Sequence, residues 1–410
     1  MSDPRATLRN AIPAAPGDLL NLRAIEQGLE NLRRLTSVRA EIDIVPAEAA
    51  PGEDTAPPGE SDLVVRWVQD RPLRAFLAVD DAGSRATGRL QGVLTLTFDH
   101  PATLHDQLQV TLSEGLEPAR HDRDGARGHT VQYSLPLGYW LLAATHGLQR
   151  HHQQVAGAYE RYVYRGESET GELRLSRVVR RDGSGRSAVS LRGWVRASRN
   201  FIDDTEVEVQ RRRTAGWETG VSHRQALEAA ALDLNLAYRR GTGAAGALPA
   251  PEEAFGEASS RIRLTTADAQ LLVPLDIARQ RLRWTGTWRA QWTGQALVPQ
   301  DRFAIGGRST VRGFDGERVL SAAQGWLLRQ DLGWGLGDSG QEAFLGIDQG
   351  QVSGAGSQAL VGRRLAGAVL GLRGGAGPFS YEVFAGRPLR QPPGFDAPAR
   401  VAGFSLGVAL

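Results

Sequence analysis

The 410-residue chain has no cysteine and no lysine: reading along it, all 48 basic Lys/Arg positions are arginine. Without cysteine there are no disulfides, thiolate metal sites or thiol nucleophiles. Without lysine there is no P-loop, Schiff base or kinase-type phosphate lysine. Long apolar runs are also missing. The longest, such as LAGAVLGL at 365–372, fall well short of the ~18 residues of a membrane-spanning helix. Charge of one sign is scarce too, since 46 acidic residues leave a net +2, and the mean hydropathy is −0.31. Arginines interleave with acids instead of forming a basic face, which argues against nucleic acid as a partner. The opening MSDPRATLRN has no basic segment followed by an apolar one, hence no secretory signal pattern. Composition alone describes a soluble protein.

The pattern divides the chain in two. In residues 1–72, Asp18 after Gly17 is placed to cap a helix that puts Leu22, Ile25, Leu29 and Leu32 on one face. Two strand-like pieces follow, RAEIDIV and SDLVVRWVQ, around a Pro/Gly/acidic loop at 46–60. From Leu73 to Leu410 the period is 2: Leu94, Leu96 and Phe98 alternate with Val93, Thr95 and Thr97. Sixteen such segments can be drawn, near 73–82, 87–98, 107–115, 129–137, 139–150, 170–181, 186–198, 205–213, 229–240, 261–275, 279–296, 324–334, 343–353, 360–373, 379–389 and 401–410. Connections alternate between long (116–128, 151–169, 241–260, 297–323, 390–400) and tight (138, 182–185, 276–278, 335–342, 374–378). A membrane β-barrel has this asymmetry, and strands of ~9–11 residues suffice to cross a bilayer. Trp140, Trp194, Trp217, Trp284, Trp292, Trp326 and Trp334 near strand ends would form its interfacial girdles. A soluble all-β protein, two sandwiches or a propeller, is the competing reading, although no propeller repeat of ~40–50 residues is visible.

Most motifs dissolve on inspection. GTGAAG at 241–246 fits G-x-G-x-x-G, but prolines follow where a dinucleotide site needs a helix. GDSG at 337–340 sits in a predicted turn with no histidine motif, and adjacent His151 and His152 cannot share a metal. No catalytic residue, metal site or cofactor is expected. What remains is DRFAIGGRSTVRGFDGERVLS at 301–321, a Gly-rich connection carrying Arg308, Arg312 and Arg318.

Here the chain resembles the outer-membrane transporters of two-partner secretion, the TpsB family of haemolysin and filamentous-haemagglutinin transporters, within the BamA-like superfamily of POTRA domains plus barrel. The resemblance runs over essentially the whole chain. It rests on AAPGDLLNLRAIEQGLENLRRL, YSLPLGYWLL, SRNFIDDTEVEVQRRRTAGWE, PEEAFG, FAIGGRSTVRGFDGE and FLGIDQGQV. It implies an all-β fold: a 16-stranded antiparallel transmembrane barrel at 73–410, preceded by a partial α/β POTRA domain at 1–72. It further implies that loop 6 folds into the lumen with Gly306, Gly307, Val311, Arg312, Gly313 and Phe314 near its tip. Arg312 would pair with Asp348 on the wall, with Gly350 beyond, so that a charge swap between the two should rescue secretion.

The implied function is export of an unfolded β-helical exoprotein, recognised by its N-terminal secretion domain, from periplasm to cell surface of a Gram-negative bacterium. Leu22, Ile25, Leu29, Val64 and Val65 are the candidate cargo contacts in the POTRA part. The protein would be a transporter and not an enzyme, monomeric in outer-membrane lipid, inserted by the barrel-assembly machinery, and driven by cargo folding outside. A barrel-assembly or general pore protein of the same superfamily, or a soluble β-rich binding protein, are the alternatives. Relative to the family pattern the chain starts inside a second POTRA domain, without signal peptide, plug helix or first POTRA. It ends on Leu410 where barrels usually end in an aromatic.

Overall fold

The computed structural model describes residues 7–47, 58–116, 125–157 and 159–410. Helix α1 (Leu22–Arg33) precedes a hairpin of β1 (Val38–Pro46) and β2 (Ser61–Gln69). Part of the expected 46–60 loop lies outside the described residues. The helix is capped by Asn21, whose side chain accepts from Arg23 N, and not by Asp18, which instead accepts from Ala15 N. One side of α1 packs Leu32 and Leu29 into a small core with Ala11, Ile12, Leu35, Val38, Ala40, Ile42, Val65 and Trp67.

The barrel follows, and each strand pairs antiparallel with the next: β3 (Leu73–Asp80), β4 (Gln91–Asp99), β5 (Gln107–Gly115), β6 (Gly125–Leu137), β7 (Trp140–Ala156), β8 (Arg161–Arg181) and β9 (Gly185–Ile202). A two-residue β10 (Thr205–Glu206) folds back on β9 before β11 (Arg212–Leu227), β12 (Ala230–Thr242), β13 (Arg263–Ile277) and β14 (Gln280–Trp292). A ribbon of β15 (Phe303–Ile305) and β16 (Leu320–Ala322) stands apart from the wall. β17 (Gln324–Gly335), β18 (Gln341–Ser353), β19 (Arg364–Ala376), β20 (Phe379–Arg390) and β21 (Val401–Ala409) complete it. β21 closes on β3, with Ser405 opposite Asp80 and Ala409 opposite Phe76. Setting aside the β10 flap and the β15–β16 ribbon, the wall has sixteen strands. Closure leaves no unpaired edge, the condition for a strand protein in lipid.

Two of the expected segments shift. The eighth wall strand is 212–227, not 205–213, because residues 205–210 form the β10 flap and a short 3-10 turn. The expected long loop at 151–169 is mostly strand, so β7 and β8 project as one tall hairpin. The tightest connections lie at the end that carries α1. Among them Gly138 adopts φ +60°, a left-handed conformation that a two-residue hairpin turn demands. Among the described residues no helix is long and apolar enough to cross a membrane, and the apolar residues alternate outward instead. On β18, Leu345 and Ile347 are each 46% exposed on the outside, while Phe344, Gly346, Asp348 and Gly350 face inward and are buried. Trp140, Trp217, Trp292 and Trp334 lie exposed on the outside. Trp194 does not join them: it is buried in the lumen against Ile262, Leu264 and Leu297.

Candidate functional site

Residues 301–321 leave the wall after β14 and return to it at β17, carrying the β15–β16 ribbon as a stem. Beyond the stem the chain turns inward. Gly306 sits at φ +116° and Gly313 at φ +96°, conformations a side chain would strain. Thr310 Oγ1 closes the turn by accepting from the amides of both Gly306 and Gly307, at 3.1 Å each. Val311 and Phe314 are buried and join Ile305, Leu320, Leu327, Val352, Leu365 and Phe395 in an apolar cluster on the inner wall.

Arg312 is thereby held at the wall, 6% exposed against a fully buried Asp348. Its Nε donates to Asp348 Oδ2 at 2.7 Å and its Nη2 to Oδ1 at 2.8 Å, a forked pairing. The backbone N–H of Arg312 donates to the same carboxylate at 2.9 Å. Nη2 also reaches Asp331 on the neighbouring strand β17. Around this core stand Arg329, 3.8 Å from Asp348, and Arg373, which bridges Asp331 and Glu342. One buried cation is therefore met by two carboxylates, and further arginines balance the second, which makes burial of so many charges tolerable.

The wall beneath is stripped of side chains. A Cβ on Gly367 would lie 1.8 Å from the carbonyl oxygen of Arg312, and one on Gly346 2.6 Å from its Nη2. A Cβ on Gly350 would touch Ile305 and Val311 at 3.1 and 3.2 Å. These glycines form a slot that lets the loop backbone approach the strands.

The loop is fastened a second time. Arg308 Nη1 donates to Asp81 Oδ1 at 2.9 Å and to Phe404 O at 3.0 Å, with its guanidinium 5.1 Å from the Phe384 ring. Asp81 follows the first wall strand, and Phe404 lies in the last. The same carboxylate oxygen accepts the Phe404 amide at 2.8 Å. Sequence reading noted Arg308 but gave it no partner. Asp331 was missed altogether, although its alternation with Arg329 and Gly333 places it on the inner face.

The polar face of α1 sits against the barrel mouth. Asn31 donates to Gly138 O at 2.7 Å, Glu30 takes both Arg181 and Arg186, and Arg34 donates to Ser134 Oγ at 2.8 Å. Leu22, Ile25 and Leu29 accordingly do not form one open face: Leu22 is 57% exposed, Ile25 is buried and Leu29 packs on the core. On β2, Val64 is exposed and Val65 turns to the core. Elsewhere in the lumen Arg192 donates to Glu172 at 2.9 Å and Arg239 to Glu218 at 2.9 Å, lining a charged, wet wall. Among the described residues no cluster of three or more His, Asp or Glu is disposed to hold a metal.

A closed barrel with a polar lumen, a loop pinned inside it and a small α/β domain at its mouth defines an outer-membrane protein-secretion channel. The chain belongs to the haemolysin secretion/activation protein family ShlB/FhaC/HecB, whose profile matches residues 59–374, and residues 2–46 match a POTRA domain. It is 34% identical over 404 residues to the outer membrane transporter CdiB-2 of Burkholderia pseudomallei (strain 1026b), covering 98% of this chain and 68% of that protein. The solved structure of CdiB from Acinetobacter baumannii superposes with a TM-score of 0.88 at 32% identity, over 100% of this chain and 72% of that one. CdiB from Escherichia coli gives 0.90 at 26% identity, over 100% and 74%. The protein is thus an outer-membrane transporter of the two-partner secretion class.

Proposed function

We propose that residues 1–72 receive an exoprotein in the periplasm and that residues 73–410 conduct it, unfolded, to the cell surface, with residues 301–321 as the gate. The observation that carries this reading is the placement of Arg312, which has no chemical step to perform yet is held by two carboxylates on the inner wall. A catalytic role would leave a reactive group facing open space, whereas here the backbone N–H, Nε and Nη2 of Arg312 are all committed to keeping the loop in place. The reading makes the protein a conduit and not an enzyme. It acts as a monomer, delivered to outer-membrane lipid by the barrel-assembly machinery. Of the five candidate contacts in the small domain, Leu22 and Val64 stay exposed and are left to meet cargo. Energy comes from cargo folding outside.

The test is secretion of the partner exoprotein by cells carrying Arg312→Gln, together with ion conductance of the purified variant in planar bilayers. Loss of secretion with raised or unstable conductance supports a gate. Wild-type secretion and conductance from a correctly folded variant would dismiss it.

A further inference from the structure

The outer wall carries a feature that passage through the lumen leaves unused. β12 and β13 pair so that Arg240 stands directly opposite Arg263. Both point to the lipid side: at two-residue spacing they continue Tyr238, Leu236 and Leu234 on one strand and Thr265, Ala267 and Ala269 on the other, whereas Arg239 turns inward to Glu218. Both are exposed. Like charges directly opposite on one sheet face destabilise the pairing. Inside the lumen this chain answers such crowding with carboxylates, as at Arg192 and Glu172. Among the described residues neither Arg240 nor Arg263 has an ion pair or side-chain hydrogen bond.

Their height on the barrel points to what could answer them. Trp217 lies across from Arg240 on β11, and its ring meets Tyr238 at 5.9 Å. Trp292 lies across from Thr265 on β14, and its ring meets Trp288 at 5.9 Å. Exposed outward aromatics of this kind mark the membrane–water interface. The two arginines stand one outward-facing position, about 6–7 Å along the strand, beyond Tyr238 and Thr265 toward the loop end. That is headgroup level on the cell-surface side. Arg213 on β11 is exposed on the same face.

We propose that Arg240 and Arg263, over the Trp217–Tyr238 platform, bind the phosphate group of an outer-leaflet glycolipid. Each guanidinium offers a fork of N–H donors suited to phosphate oxygens. An anion between them replaces mutual repulsion with two attractions, and the aromatic rings take the sugar and upper acyl chain. The proposal rests on the barrel spanning the outer membrane, which heat-modifiable electrophoretic mobility tests separately.

The experiment is native mass spectrometry of the purified, delipidated barrel titrated with bisphosphorylated lipid A, dephosphorylated lipid A and inorganic phosphate. The expected result is saturable binding of the bisphosphorylated lipid, weakened at least about tenfold in R240Q/R263Q and only partly kept in R240K/R263K, which retains the charge without the fork. R279Q, altered at the opposite end, should bind as wild type. Equal binding of the phosphorylated lipid by R240Q/R263Q and wild type would overturn the proposal. So would equal binding of the dephosphorylated lipid, or displacement by inorganic phosphate at lipid-like concentrations. Absence of the heat-modifiable shift in the wild-type chain would instead indict the barrel reading.

Discussion

Asp348 holds Arg312 by main chain and side chain together: one oxygen accepts the backbone N–H at 2.9 Å and Nε at 2.7 Å, the other accepts Nη2 at 2.8 Å. A guanidinium alone could swing away and return. A backbone donor on the same carboxylate fixes the loop itself.

Removing either partner should therefore release the loop. Arg312→Gln leaves Asp348 buried with Arg329 as its near cation, and breaking a buried pair costs ~3–5 kcal/mol. Protease sensitivity within 301–321 should rise while the barrel stays heat-modifiable. The charge swap expected from the sequence should fail. Asp348→Arg would set a second cation against Arg329, and Arg312→Asp a second anion against Asp331, while the backbone N–H at position 312 would lose its acceptor. Restored secretion in the swap would show that charge alone matters.

Gly367→Ala should open the same gate without touching a charge. Its methyl would lie 1.8 Å from the Arg312 carbonyl oxygen, with Gly313 packed close by, so the loop tip must lift. Bilayer conductance should rise toward that of Arg312→Gln. A wild-type trace from folded Gly367→Ala would mean that the slot is not occupied in the membrane.

Arg308→Gln should loosen the barrel's closure and leave Arg312 seated. Losing the donors to Asp81 and Phe404 O removes about 1–3 kcal/mol locally, so amide exchange of Phe404 should accelerate about tenfold or more. Arg308→Lys should recover part of this protection. Unchanged exchange at Phe404 would reduce the contact to a bystander.

The small domain should undock as pH falls. His105 is fully buried among His100, Trp67 and Arg34, its Nε2 is 3.1 Å from Thr7 O, and its carboxylate neighbour is Asp106. Burial first, then His100 and Arg34, lower its pKa from 6.5 to about 4. Undocked, the ring takes a proton near pH 6.5 that the docked state refuses. Docking is therefore fully stable above that value and weakens down to about pH 4, by an amount on the order of 3 kcal/mol. Amide exchange of Trp67 against pH should show the slope, and His105→Gln should flatten it. A flat wild-type profile between pH 4 and 6.5 would refute the burial argument.

Alternation made the barrel legible, because lipid outside and water inside impose a two-residue period on every strand. It failed at 205–213, where a β10 flap pairs by the same rule without joining the wall. It failed again at 151–169, where polar residues such as Arg165 and Glu167 mark strands rising above the bilayer and not a loop. Arg312 and Asp348 were legible only through a resembling motif. The glycine slot and Asp331 depend on cross-strand register, which no single segment encodes. Trp194 misled because an aromatic near a strand end says nothing about which face it takes.

The apolar cluster of Ile305, Val311, Phe314, Leu320, Leu327, Val352, Leu365 and Phe395 sits inside the barrel, on its inner wall. Swinging the loop out would bare these side chains to water, at ~1.5–3 kcal/mol for each one fully exposed. With residues 301–321 as the proposed gate, opening would be a partial unfolding reaction, and the channel's resting leak would be set by how seldom that reaction occurs spontaneously. A passenger that supplies its own apolar strand to the vacated cluster would hold the door open for as long as it is threading, and the door would shut behind its last residue.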